Sequence, residues 1–177
     1  GVGSTFWFEI PLEAGDAIPS TPVLKEISKL KVLIVDDMPD QLEWISTLFY
    51  DLHINIKCLS SGKEAIKEIQ SADNNFSPYN LVLIDYKMPE LDGIDTILMI
   101  NGLDLKHKPY TVVITSYVHE VEMDKLKRIG VESVLIKPIT NSKVYDLLIN
   151  LLAGNKRYET AFNQIQHEAN SAQNLSK

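Results

Sequence analysis

Asp36, Asp37, Asp85, Thr115 and Lys137 are the residues of this chain whose types and positions could do chemistry together. Each stands at the carboxyl end of a short apolar run. Asp36-Asp37 follows Lys31-Val32-Leu33-Ile34-Val35, and Asp85 follows Leu81-Val82-Leu83-Ile84. Thr115-Ser116 follows Tyr110 to Ile114, and Lys137-Pro138 follows Val134-Leu135-Ile136. If these runs are parallel strands of one sheet, their ends share the edge at which open α/β sheets bind ligands. Carboxylates gathered there repel one another and raise one another's pKa unless cations intervene. Lys137 supplies one positive charge. A hard divalent ion, Mg²⁺, supplies the rest, since it takes one or two carboxylates together with waters and phosphate oxygens. Such a site suits phosphoryl transfer: the metal screens the incoming charge, an ammonium and a hydroxyl hold the remaining oxygens, and a carboxylate can become an acyl phosphate. A Gly-rich phosphate loop ending in Gly-Lys-Ser/Thr is missing from the sequence, which argues against nucleotide use. Taken singly, each piece has a plainer reading, such as Asp85 capping the turn at Met88-Pro89. The conjunction, in this order and each at a strand end, carries the inference.

The elements that must position these groups follow from periodicity. Val32 to Val35, after Lys31, and Leu81 to Ile84 are unbroken apolar runs too short for a lone helix, the pattern of strands buried on both faces. Ile54 to Leu59 is a weaker strand, and Tyr110 to Ile114 and Val134 to Ile136 complete five. Pro39 opens a helix at the position where its missing N–H costs nothing, with Leu42, Ile45, Phe49 and Leu52 inward. Ser60-Ser61-Gly62 precedes a helix with Ala65, Ile66 and Ile69 inward, after which Asp73-Asn74-Asn75 loops back. Ile94, Ile97, Leu98 and Ile100 mark another helix after Asp92-Gly93, and Val118 to Ile129 an exposed one stopped by Gly130. Thr140 or Asn141 caps the last helix, whose inner stripe is Val144, Leu147, Leu148 and Leu151. Strand and helix alternating five times predict an α/β fold: a doubly wound parallel sheet with right-handed crossovers.

Composition narrows the function. A net charge of −7 argues against a nucleic-acid partner. The longest apolar runs fall far short of the roughly 20 residues that span a bilayer, so no membrane contact is expected of this segment. The opening residues lack the basic start and apolar core of a signal peptide. Cys58 is the single cysteine, which points to a reducing compartment, and a cytoplasmic location is expected. His53, His107, His119 and His167 show no metal-ligand spacing.

Asp36-Asp37, Asp85 with Met88-Pro89 and Asp92-Gly93, Thr115, and Lys137-Pro138 together resemble the receiver domains of two-component response regulators, over about Leu30 to Leu152. The resemblance implies the flavodoxin-like strand order 2-1-3-4-5. It implies that Asp85 accepts a phosphoryl group from a phosphohistidine and that the domain catalyses its own phosphorylation and dephosphorylation. Asp37 is then the direct Mg²⁺ ligand, Asp36 acts largely through water, and the backbone carbonyl of Lys87 completes the protein ligands. Thr115 bonds the phosphoryl group and Lys137 neutralises it. Two departures stand out. The family's aromatic switch position holds Val134, which is stiff at its one side-chain torsion and cannot swing. Tyr117, two residues after Thr115, is expected to move in its place. Lys87 and Tyr117 also occupy the positions that flank the site and are expected to set phosphoryl lifetime.

The ends point to a parent. Gly1-Val2-Gly3-Ser4-Thr5-Phe6-Trp7-Phe8 and Pro11-Leu12 look like the last strand of a histidine-kinase ATP-binding domain. The expected organisation is therefore a kinase remnant over 1–12, a linker over 13–29, a receiver over 30–153 and a helical tail over 154–177, all from a hybrid sensor kinase. The partners implied are a kinase's phosphohistidine dimerisation domain or a histidine-phosphotransfer domain. Met38 and Trp44 on the first helix are candidates for contacting the donor's helical bundle. A second apolar stripe on the last helix (Tyr145, Ile149 and Leu152) is expected to hold another domain or to make a homodimer. The competing classes are a metal-dependent phosphatase of related fold and a receiver-like module that is never phosphorylated. The phosphatase class wants an acid–base aspartate just after the nucleophile, where this chain has Tyr86-Lys87.

Overall fold

A computed structural model of the chain describes residues 21–116 and 125–154. Its helices are α1 (Thr21–Ile27), α2 (Pro39–Tyr50), α3 (Gly62–Asn74), α4 (Gly93–Asn101) and α5 (Asn141–Leu152). Its strands are β1 (Lys31–Val35), β2 (Asn55–Leu59), β3 (Leu81–Asp85), β4 (Tyr110–Thr115) and β5 (Ser133–Ile136). Residues 125–128 are also helical, and the rest of the helix expected over Val118 to Ile129 lies outside the described residues. The strands form one five-stranded sheet in the order β2-β1-β3-β4-β5, with every pairing parallel. That is the order the resemblance implied.

Alternation along each central strand divides the core in two. Leu33, Val35, Val82, Ile84 and Val113 pack on one face with Ala65 and Ile69 of α3 and Ile94 and Ile97 of α4. Val32, Ile34, Leu81, Leu83, Val112 and Ile114 pack on the other with Ile45 and Phe49 of α2 and Val144, Leu147 and Leu148 of α5. β3 is buried at every position, as a strand covered on both faces must be. The helices begin where their sequences provide caps: Ser61 accepts the Glu64 N–H, Asp92 the Asp95 N–H and Thr140 the Lys143 N–H. Gly130, at φ 85°, takes the left-handed turn that ends the helix before β5.

Four expectations are corrected. The linker over 13–29 is, in its described part, the helix α1 followed by a turn. Val23, Ile27 and Leu30 recur at four and three, and Ile27 and Leu30 are buried in the same core as α5. α1 packs on α5, and Tyr145 and Ile149 are half-buried against that core. Of the apolar stripe expected to be free on the last helix, only Leu152 is exposed, at 39%. Asp73-Asn74 is the last turn of α3 rather than a loop. The Asp73 carboxylate is buried and accepts the backbone N–H groups of Lys106 (2.8 Å) and His107 (3.1 Å), fixing the connection between α4 and β4. Leu98, grouped with the apolar positions of α4, is exposed, while Ile94, Ile97 and Ile100 face the core.

Candidate functional site

β1, β3, β4 and β5 lie consecutively in the sheet, so parallel pairing delivers their carboxyl ends to one edge. The Asp36 N–H donates to the carbonyl of Leu59 (3.2 Å), the Tyr86 N–H to Ile114 (2.8 Å) and the Lys137 N–H to Thr115 (2.8 Å). The end of β1 is thereby tied to β2, and the ends of β3 and β5 are both tied to β4. Asp36 and Asp85 are buried, at 1% and 7% exposure, and Lys137 stands between them. Its Nζ donates to Asp85 Oδ1 at 2.6 Å and lies 3.4 Å from Asp36 Oδ2. The second oxygen of each carboxylate takes a backbone N–H: Met38 to Asp36 Oδ1 and Lys87 to Asp85 Oδ2, both at 2.9 Å. Both carboxylates are therefore oriented by their own loops as well as by the lysine.

The second loop holds its shape through close contact. Asp85 is followed by a turn that closes when the Gly93 N–H donates to the Tyr86 carbonyl at 3.0 Å. A Cβ on Gly93 would stand 2.4 Å from the Asp85 carbonyl oxygen. Only glycine lets the first residue of α4 approach the backbone of the acidic residue this closely.

Electrostatically, the site is short of positive charge. Burial raises the pKa of Asp36, opposed first by the Met38 N–H; the nearby Asp85 charge raises it further and Lys137 lowers it. One ammonium faces the carboxylates of Asp36 and Asp85, with half-buried Asp37 next on the same loop. Among the described residues no three acidic, histidine or cysteine side chains stand grouped as a metal cluster. The donors at hand are nevertheless all hard oxygens, and the excess of negative charge is what a small divalent cation would relieve, so the residues fit Mg²⁺.

Of the residues singled out from sequence, Asp36, Asp85 and Lys137 meet directly. Thr115 is buried at the end of β4, in register with Ile136, and its carbonyl receives the Lys137 N–H. Lys87 presents its N–H to Asp85 while its side chain is exposed. Val134 is buried in β5 beside Val113 and packed into the core. Tyr117 lies outside the described residues. Met38, the residue before α2, and Trp44, on its solvent side, are exposed, at 50% and 57%. The sequence reading missed Gln41. Its Oε1 accepts a hydrogen bond from Lys137 Nζ across 96 positions of chain. The one signal available was its place in the first turn of α2, directly after the loop that carries the acidic pair.

Residues 32–149 match the family model described as the response regulator receiver domain. The chain is 30% identical over 135 residues to the signal transduction histidine-protein kinase BarA of Escherichia coli K12, covering 75% of this chain and 14% of BarA. It is 20% identical over 195 residues to the sensory/regulatory protein RpfC of Xanthomonas campestris pv. campestris, covering 93% of this chain and 26% of RpfC. The chain thus spans only a small part of the curated relatives it matches. Among solved structures, it resembles the receiver domain of a sensor histidine kinase from Pseudomonas aeruginosa PAO1, which has a magnesium ion coordinated in its active-site cleft. The TM-score is 0.62 at 18% identity, covering 71% of this chain and 98% of that one. The chemotaxis protein CheY4 of Vibrio cholerae gives a TM-score of 0.61 at 21% identity, covering 70% and 98%. The structural likenesses show the shared fold, and the family model, which fits from β1 into α5, shows the membership: this chain belongs to the response regulator receiver domain family of two-component signal transduction.

Proposed function

We propose that Asp85 is the phosphoacceptor of a two-component phosphorelay and that the reaction depends on Mg²⁺. The observation that carries this reading is the 2.6 Å contact of Lys137 Nζ with Asp85 Oδ1, made at a buried carboxylate whose other oxygen is held by the Lys87 N–H. A carboxylate oxygen of Asp85 forms the new P–O bond as the P–N bond to a donor imidazole breaks, and the released imidazole nitrogen takes a proton. Lys137 holds charge at the acceptor throughout, and Thr115, from the end of the neighbouring strand, bonds a phosphoryl oxygen. When bound by Asp37, Asp36, Asp85 and the carbonyl of Lys87, Mg²⁺ supplies further screening of the phosphoryl oxygens. Hydrolysis of the acyl phosphate reverses the modification, with Lys87 and Tyr117 controlling the access of water. Val134 cannot supply an aromatic switch, and Tyr117 takes that role.

The donor or next acceptor is a phosphohistidine domain of a kinase or a histidine-phosphotransfer domain, and the parent is a hybrid histidine kinase working in the cytoplasm. Residues 1–12, read as a remnant of the kinase ATP-binding domain of that parent, lie outside the described residues. Among the described residues no helix is long and apolar enough to cross a membrane.

The test is intact-mass measurement after incubation with Mg²⁺ and acetyl phosphate, wild type beside Asp85→Asn. One labile phosphate on the wild type and none on the variant is the expected result. An inert wild type points to an unphosphorylated interaction module. Sustained turnover of a small phosphate ester without a protein adduct points to a phosphatase.

A further inference from the structure

The ammonium of Lys137 has three hydrogens and no acceptor capacity. Two of its partners, Asp85 and Asp36, are charged groups of the site already described. The third, Gln41 Oε1, is neutral and comes from a helix rather than from a strand end. We propose that Gln41 is a positioning residue for phosphoryl transfer, holding the Lys137 ammonium against Asp85 as the charge on that carboxylate changes. The inference rests on the reading of Asp85 as acceptor and adds a residue to it.

The physical need comes from the lysine itself. Its charge is a point at the end of a flexible four-carbon stem, so two carboxylates alone leave it free to follow whichever is more negative. Esterification of one Asp85 oxygen moves negative charge from that carboxylate onto the phosphoryl group. Asp36 keeps its charge and would draw the ammonium toward itself, away from the reacting centre. An acceptor without net charge fixes one N–H direction and takes no part in that competition. A carboxylate in the same place would pull the ammonium harder than Asp85 does and would repel an anionic donor. Gln41 is itself held: its Nε2 lies 3.0 Å from Met38 Sδ, and the Met38 N–H is bonded to Asp36 Oδ1. The anchor therefore belongs to the loop that carries the acidic pair, and the half-buried amide sits in the first turn of α2. Misplacement of a reacting group by about 1 Å can cost about a hundredfold in rate. Loss of one of three tethers is expected to cost about tenfold by the same reasoning.

The experiment uses the full chain and follows phosphorylation by acetyl phosphate at saturating Mg²⁺ in wild type, Gln41→Met and Gln41→Glu. Gln41→Met keeps the length of the stem and removes the acceptor. Its limiting rate should fall about tenfold, while the acetyl phosphate concentration giving half that rate, the Mg²⁺ affinity read from amide NMR shifts and the Tm stay near wild type. Gln41→Glu keeps the bond to Lys137 and adds charge, so it should retain a protected Lys137 ammonium signal yet phosphorylate more slowly than wild type. In the wild type, that ammonium signal should show cross-relaxation to the Gln41 side chain. If Gln41→Met fails to fold, this wild-type measurement decides, and its absence overturns the contact. A Gln41→Met rate within about twofold of wild type, or a rate that falls only together with Tm and Mg²⁺ affinity, overturns the positioning role and leaves Asp85 as acceptor. A wild type that takes no phosphate overturns both.

Discussion

At the scale of single residues, the site sets one half-buried cation, Lys137, against two buried anions, and Asp36 bears the cost. Its carboxyl is pushed up first by burial and then by the proximity of Asp85. A carboxyl whose pKa is raised in the folded state stabilises the fold while protonated, and that contribution is lost as pH rises through the folded value. At neutral pH the ionised Asp36 therefore works against folding. Asp36→Asn can still accept the Met38 N–H and should raise the Tm at pH 7 without Mg²⁺. The gain should shrink toward zero as the pH falls below the ordinary aspartate range, a comparison that thermal melts across pH make directly. The same variant should weaken the dependence of phosphorylation on Mg²⁺. Asp36, Asp85 and Lys137 were legible in the sequence because each ends an apolar run. Gln41 was not, since a glutamine in the first turn of a helix has no pattern that distinguishes an inward amide from a solvated one.

Among the elements, α1 and α4 show what the sequence reading could and could not see. Gly93 was recognised only as part of a motif; the structure gives the reason, a backbone approach to Asp85 that leaves no room for a methyl group. Gly93→Ala should cost about 1–3 kcal/mol, the usual range for overpacking, and should also slow the proposed phosphorylation because the shift falls on the loop after Asp85. Chemical denaturation and the acetyl phosphate assay measure the two effects separately. α1 was read as linker because seven residues of ordinary composition after a Pro- and Ser-containing stretch give too short a window for periodicity to register. Its side chains nevertheless seal one end of the core. Ile27→Ala should destabilise the fold by about 2–5 kcal/mol, the range for truncating a fully buried isoleucine. A true linker residue would change the denaturation midpoint hardly at all.

For the molecule as a whole, stability in acid depends on carboxylates away from the site. Asp73 is held below its usual range first by the Lys106 N–H and then by the N–H and ring of His107. Glu68 is held down first by Lys57 and then by the hydroxyl of Tyr79. Groups depressed in the folded state lend stability that is present above their unfolded pKa and lost as pH falls through the folded one. Unfolding free energy should therefore drop below about pH 4.5, and Asp73→Asn should flatten part of that drop while lowering the Tm at pH 7. A pH series of denaturation midpoints for both proteins checks it. The two effects of Asp36 and Asp73 have opposite signs, so the acid limb separates them.

The amino-acid sequence by itself determined the five-stranded α/β architecture and the strand ends that carry the acidic residues and the lysine. Both follow from local rules: apolar runs of strand length, alternating with helical stripes, make a parallel sheet with its carboxyl ends along one edge. Only the tertiary structure decided which groups touch. That Lys137 reaches Asp85, Asp36 and Gln41 together, that Asp73 clamps a loop more than 30 positions away, and that α1 belongs to the core are outcomes of packing between distant segments. Such contacts depend on the depth and direction of side chains in three dimensions, and one-dimensional spacing does not encode them.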